Sequence, residues 1–394
     1  MKVGVFTYFS FPKGLAPTTR IIAYCKGLQQ NGCKVEVFSC RWYPDNEIIP
    51  LEGEVEGVPY KNSHLWHTKY GKLFKVTVDK YLLHKNTIRN IKQSHGKEPF
   101  DVILVACDVV EILSYYIPKI NKLGIKTIFI IDEYPPAIQA LKNEVPQSWI
   151  NSFKAVDKYF SGRVLMTDAL RDYYNDKIRV LPSHIMCSIL DETRFANICP
   201  NKEERKYLCY MGNLMLKKDD ICTIIRAFCE IMDDFPDLDL HLYGNESTHE
   251  ENDLLHSLIA ENEANNRVFL KGRADYEEVP SILAGATLLV TAQPNTKRAE
   301  GGFPTKLGEY MMSGVPMIVT NVGEIHKYVT NQKDCYMVTP ESPHEYAETL
   351  RNALIHYDDS IQIAKHAYEN AYKNYSSKIV GRELMSFLQQ IVNL

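Results

Sequence analysis

The sequence predicts an α/β protein made of two Rossmann-like, doubly wound parallel sheets in tandem, followed by a final helix with no strand after it. Three observations carry this. Short, nearly continuous apolar runs such as VGVFTY (3–8) and DVILVAC (101–107) alternate with helical patterns, as expected for buried parallel strands joined by helices. The alternation stops near Ser183 and restarts at Lys206. The chain has 394 residues, and single cores rarely grow past ~250–300.

In order, 3–8 is the first strand and SFPKGLAPTT the loop after it, with Pro12, Gly14 and Pro17 as breakers. Thr18 or Thr19 is placed to cap a helix carrying Ile21, Ile22, Cys25 and Leu28 on one face. Asn31-Gly32 closes that helix, and 35–39 is the second strand. The loop with Gly14 thus lies at the carboxyl end of the first strand, where open sheets bind ligands. Further strands fall at 101–107, 126–131, 163–167 and 178–181, with helices at 109–123, 146–160 and 168–174 between them. The second series has strands at 206–211, 238–243, 267–270, 287–291 and 336–338. Its helices fall at 220–232, 251–263, 276–283, 343–356 and 360–372, and the final helix at 378–394. Two open sheets in tandem imply a cleft between them.

The net charge of −4 argues against a nucleic-acid binder, which would be basic overall. Ten cysteines include no C-x-x-C pair, and Cys25, Cys107, Cys209, Cys222 and Cys229 stand in apolar surroundings, which suits a reducing cytosol. The N-terminus is too interrupted for a signal segment, and no apolar run approaches the ~18 residues of a spanning helix.

The most informative stretch is RAEGGFPTKLGEYMMSGVPMIVTNVGE, 298–324. It reads as a glycine-rich loop, a short helix stopped by Gly314 and Pro316, and a buried strand at 317–320. Gly301 and Gly302 are expected to adopt positive φ, and Pro304 to open the helix. A glycine-rich loop feeding a helix N-terminus presents amide N–H groups and the positive dipole end to an anion. Lys306 in the first turn is unfavourable unless an anion is near. Glu309, one turn on, can accept two hydroxyl hydrogen bonds, as from a ribose. A sugar beside a diphosphate satisfies both; a plain loop–helix–strand connection with Lys306 and Glu309 as a solvated pair is the plainer alternative.

Residues 66–97 carry eight Lys or Arg against one acid, Asp79, with apolar residues at roughly helical spacing. Such a helix either packs with its basic side in water or lies on an anionic membrane surface, and the two are compatible. Asp237-Leu238-Asp239 spells the carboxylate pair of metal-dependent transferases but follows Pro236 at the start of a strand, which favours a turn and strand edge. His64 and His67 have metal-ligand spacing without a third ligand, and His241 alternates with leucines as a core histidine does. No metal or cofactor is implied, and no G-x-G-x-x-G follows either first strand, so a dehydrogenase is not expected.

Four segments together resemble a known family, the retaining glycosyltransferase family 4 of the GT-B fold. They are the first strand and loop with Gly14 and Thr18-Thr19-Arg20, the junction RVLPSHIMCSILDETRF, the cluster YMGNLMLKKDD, and EGGFPTKLGEYMMSGVPMIVTNVGE. The resemblance spans essentially the whole chain and is most specific in the last segment. It implies an acceptor-binding domain at 1–190, a nucleotide-sugar-binding domain at 191–373, and a helix at 374–394 packing back on the first. It implies that Glu309 holds the donor ribose, that amides of Gly302, Phe303, Pro304 and Thr305 hold the diphosphate, and that Lys218 neutralises it. Gly14 is then the approach from the first domain, and Leu270 to Gly272 lie near the base.

This sequence departs from the family pattern in three places. The first glutamate of the family's pair falls at Gly301, with Glu300 adjacent. The arginine that partners the lysine falls at Asn213, so Lys218 would act with Lys217, Lys306 or Arg298. A histidine near the end of a mid-domain strand is replaced by IIDEYPP, where Asp132 or Glu133 stands. The expected activity is metal-independent transfer of a hexosyl or N-acetylhexosaminyl unit, with retention, from a nucleotide sugar to a glycan or lipid-linked acceptor. The expected setting is cell-surface polysaccharide assembly in the cytoplasm, with peripheral attachment to the membrane through 66–97. The expected catalytic set is Lys218, Glu309, Lys306 and Glu133. A sugar-nucleotide epimerase of the same shape and a non-catalytic nucleotide-sugar-binding subunit are the alternatives.

Overall fold

The computed structural model describes residues 1–14, 16–41, 50–63, 72–142, 144–186, 188–245 and 248–394, with 72–80 as helical backbone. The chain divides into two compact units, Met1–Ile189 with Ser376–Leu394, and Leu190–Tyr375.

In the first unit β1 (Lys2–Thr7), α1 (Ala16–Gln30) and β2 (Lys34–Ser39) form the opening crossover. They are followed by β3 (Glu52–Val55), β4 (Val58–Asn62), α2 (Lys72–Lys97), β5 (Val102–Ala106), α3 (Val110–Asn121) and β6 (Lys126–Ile131). Then come α4 (Pro136–Gln139), α5 (Gln147–Asp157), β7 (Gly162–Leu165), α6 (Asp168–Lys177) and β8 (Ser183–Ile185). The sheet order is β3-β4-β2-β1-β5-β6-β7-β8, parallel except for the β3–β4 pair. Successive strands leave β1 in opposite directions, so the switch point lies between β1 and β5.

Three expectations change here. The helix starts at Ala16, so Thr18 is inside its first turn and donates its hydroxyl to the Ser10 carbonyl (2.5 Å) instead of capping it. The stretch 178–181 is not a strand: it leaves α6, and the strand is Ser183–Ile185. The β3–β4 hairpin has no forecast counterpart; Glu56 (φ 49°) and Gly57 (φ 80°) supply its left-handed turn.

On α2, Leu83, Thr87, Ile91 and Ser94 are buried at spacings of four, four and three, while Lys85, Arg89, Lys92 and Lys97 are exposed. The helix therefore packs on the unit with its cations outward. The part of 66–97 before Lys72, and His64 and His67, lie outside the described residues.

The second unit starts with a 3-10 turn, Glu192–Phe195, then β9 (Lys206–Met211), α7 (Ile221–Ile231), β10 (Leu238–Tyr243), α8 (His249–Glu261), β11 (Val268–Gly272), α9 (Val279–Gly285) and β12 (Leu288–Val290). It continues with α10 (Lys297–Gly301), α11 (Lys306–Ser313), β13 (Met317–Thr320), β14 (Tyr336–Val338), α12 (Pro343–Ile355) and α13 (Tyr357–Tyr375). Its strands are parallel in the order β11-β10-β9-β12-β13-β14, with the switch point between β9 and β12. Asp239, at the start of β10, is buried between Arg205 (2.8 Å) and Arg267 (3.1 Å), a structural ion triad at the strand's end. His241 stacks on Tyr207 with centroids 4.6 Å apart, a core histidine.

α14 (Ser377–Asn393) belongs to the first unit. Its Val380, Leu384, Phe387, Leu388 and Ile391 enter the same core as Ile21, Cys25 and Leu28 of α1. Each such burial is worth roughly 1.5–3 kcal/mol, so α14 is an integral layer of that core. The two helices approach at glycines: a Cβ on Gly381 would lie 2.3 Å from the Gly27 carbonyl carbon.

Candidate functional site

The two loops that flank the switch point of the second sheet carry most of the predicted residues. The loop after β9 holds Asn213, Lys217, Lys218 and Asp219; the connection after β12 holds 301–305 and α11. The chain can form this edge because three glycines meet there. Gly212 N–H donates to the Tyr243 carbonyl (3.0 Å) and Gly244 N–H to the Gly272 carbonyl (2.9 Å). Gly244 (φ 148°) and Gly272 (φ 68°) take backbone angles that other residues adopt with strain. Gly272 thus ends β11 beside Leu270, at the same carboxyl edge.

Lys306 is the hub. Its Nζ lies 2.6 Å from Asp219 Oδ1, donates to Tyr210 Oη (3.0 Å) and sits 4.3 Å from the Tyr210 ring centroid. Tyr210 Oη in turn donates to the Asn213 carbonyl (2.7 Å). Lys306 therefore holds both ends of the loop that carries Lys218. Burial pushes its ammonium below the ordinary lysine value, the Asp219 carboxylate opposes this, and the Lys218 charge adds to it. The anion expected beside Lys306 is supplied by the protein itself, and no solvated Lys306–Glu309 pair forms.

The glycine-rich loop also differs from expectation. Neither Gly301 nor Gly302 has positive φ: Gly301 ends α10, and Gly302 is extended (φ −90°, ψ 158°). Thr296 starts α10 by accepting from Ala299 N–H (3.3 Å). Pro304 precedes α11, and its carbonyl accepts from Leu307 N–H (2.8 Å). Phe303 is buried edge-on against Tyr328, 5.0 Å between centroids, which anchors the backbone leading to Thr305. Glu300 pairs with Lys297 (2.5 Å) on the surface, while Arg298 Nη1 approaches Met215 Sδ (3.9 Å) and so reaches the loop after β9. Gly314 ends α11 with φ 70°, as its sequence position predicts.

Glu309 accepts from Arg194 Nη1 through Oε1 (2.5 Å). Sequence reasoning missed Arg194; the signal was its place in the junction segment RVLPSHIMCSILDETRF, next to Phe195. A pocket of about 550 Å³ lies at the other end of α11, against Gly314, Pro316 and Tyr357, and contains none of the predicted residues.

In the first unit Gly14 follows β1 at the switch point, and a Cβ there would lie 2.1 Å from Thr18 Oγ1. Glu133 is exposed in the turn after β6. Beside it, Asp132 Oδ1 lies 3.3 Å from Arg20 Nη2, and burial raises its carboxyl above the ordinary value against the opposing Arg20 charge. Arg20 is itself held by the Met186 carbonyl (3.0 Å).

Two parallel sheets of this kind, each with its loops at a switch point, are those of the GT-B fold. Sucrose-phosphate synthase of Thermosynechococcus elongatus aligns over 100% of this chain and 99% of its own, with TM-score 0.75 and 13% identity. HepE of Anabaena in complex with UDP and glucose aligns over 99% of this chain and 100% of its own, with TM-score 0.72 and 14% identity. A glycosyltransferase of Rickettsia africae aligns over 99% and 98%, with TM-score 0.71 and 13% identity. Residues 191–374 match the family described as glycosyl transferases group 1, which is nearly the whole second unit. No curated protein matches the sequence.

Proposed function

We propose that the protein is a retaining, metal-independent glycosyltransferase of family 4 that moves a hexosyl or N-acetylhexosaminyl unit from a nucleotide sugar to a glycan or lipid-linked acceptor. The observation that carries this is the joining of the Lys218 loop to the N-terminal end of α11 through Lys306, at a switch point inside the segment that matches glycosyl transferases group 1. HepE, of the same fold, has been seen with UDP-glucose.

In this reading the donor diphosphate meets the 302–305 amides and the positive end of α11, with Lys218 supplying the cation. Fixed donors at a leaving group that gains charge lower the barrier electrostatically. Lys306 sets the loop and Glu309 accepts the ribose. A phosphate oxygen takes the acceptor proton, so no separate protein base is required, and Glu133 is not needed for that step. The outward cations of α2 suit an anionic membrane surface, where each is worth about 1 kcal/mol. In this reading the transfer takes place at the inner face of a membrane, in cell-surface polysaccharide assembly. Flotation on vesicles that does not depend on anionic lipid would count against that attachment.

A non-catalytic nucleotide-sugar-binding subunit is the second reading, favoured by the absence of a cation at the exposed Asn213 and of a carboxylate at Gly301. Calorimetric titration of UDP, GDP, ADP and CMP into wild type and Glu309→Ala tests the donor site: one nucleotide should bind, and the substitution should strongly weaken it. Equal binding by the variant removes the site from this segment. Binding without turnover of any donor sugar favours the subunit.

A further inference from the structure

We infer that Arg194 is the positioning residue that orients Glu309 toward the ribose of a nucleotide; this rests on the donor-site reading above. The Arg194 side chain is 10% exposed and is held by Glu309 and by both the backbone and the ring of Tyr276. Nη1 donates to Glu309 Oε1 (2.5 Å), Nη2 donates to the Tyr276 carbonyl (2.9 Å), and the plane lies 3.7 Å from the Tyr276 ring centroid. The 3-10 turn beneath it is set by Asp191, which accepts from Thr193 N–H (3.1 Å) and Thr193 Oγ1 (2.5 Å). α11 admits this turn because of a glycine: a Cβ on Gly308 would lie 2.2 Å from Leu190 Cδ2.

A carboxylate has two oxygens and about four acceptor directions. Arg194 engages Oε1, which fixes the plane of the group and directs Oε2 as the acceptor for ribose hydroxyls. Tyr276 follows β11, so the same guanidinium joins the carboxylate to the strand whose end, Leu270 to Gly272, is expected to lie near the base. A lone glutamate in the first turn of α11 would sample several rotamers; an arginine held on a ring and a carbonyl keeps it in one.

The test compares UDP, GDP and ADP with their 2′,3′-dideoxy counterparts by calorimetry on wild type, Glu309→Ala, Arg194→Ala and Arg194→Lys. Loss of a hydrogen bond to a charged group corresponds to roughly ten- to hundred-fold in affinity. Arg194→Ala should therefore weaken the ribonucleotide by that factor, leave the dideoxy form unchanged, and so erase the preference for ribose. Arg194→Lys, with one compact ammonium, should keep part of it. An equal loss for both forms, or an intact preference, overturns the inference while Glu309→Ala still identifies the donor site. If Arg194→Ala does not fold, an undiminished ribose preference in Arg194→Lys overturns it, and a reduced one supports it. If wild type binds no nucleoside diphosphate, the donor-site reading has failed, and the inference falls with it.

Discussion

Lys306 Nζ and Asp219 Oδ1 lie 2.6 Å apart with the carboxylate 2% exposed, and they tie the loop after β9 to the first residue of α11, 87 residues on in sequence. Removing one member of a buried pair leaves the other charge uncompensated, which costs about 3–5 kcal/mol. Lys306→Met should lower stability by that order in urea unfolding, while Lys306→Met combined with Asp219→Leu recovers much of it. If the single variant is as stable as wild type, Lys306 does not hold the loop after β9 to α11.

Lys218 should behave differently. It is half-buried and lies in the loop that Lys306 holds. Lys218→Ala should weaken nucleoside diphosphate by roughly ten- to hundred-fold, with little change for the monophosphate and little change in stability. Calorimetry with each nucleotide pair and a thermal melt separate the two effects. Equal weakening of mono- and diphosphate would show that Lys218 does not face the diphosphate.

Stability should fall on the acid side of the ordinary histidine value of 6.5. Burial lowers the His241 imidazole, assisted by the Lys271 charge, and burial lowers His184 against the Glu383 charge. Between the depressed folded values and 6.5 the unfolded chain binds more protons, so stability rises with pH through that window and is lost as pH falls. His241→Phe, which keeps a ring on Tyr207, should flatten the slope of unfolding free energy against pH below 6.5. An unchanged slope would remove His241 from the account.

Gly314→Ala should destabilise by about 1 kcal/mol, because its φ of 70° is left-handed, and Gly314→Asn should do less harm. Gly381→Ala should cost about 1–3 kcal/mol by overpacking, since the new Cβ meets the backbone of Gly27. Chemical unfolding of each variant measures both; an unaffected Gly381→Ala would mean the helices part at no cost.

What the sequence shows and what it hides divide along contact distance. The parallel strands are legible because each is a short apolar run, and the stop at Gly314 because glycine alone enters that conformation freely. The strand-edge reading of Asp237-Leu238-Asp239 followed from Pro236 and the leucines. The β3–β4 hairpin was not legible: EGEV has little apolar content, and its residues 52, 53 and 54 are exposed. The Arg194–Glu309 pair spans 115 residues, and nothing local to either marks the other. The positive φ expected at Gly301 and Gly302 failed because Thr296 starts a helical turn that runs through Gly301 and leaves Gly302 extended.

The first unit is made of two pieces of chain, with all of the second unit between them. On a ribosome, the face of α1 that α14 covers must therefore wait until the rest of the first piece and all of the second unit, Leu190–Tyr375, have been made. During that interval Ile21, Cys25 and Leu28 lack their permanent cover, and a nascent chain stalled before Ser377 presents a sticky surface to chaperones. The second unit has no such delay: every strand and helix it needs is already out of the exit tunnel before the first is sealed.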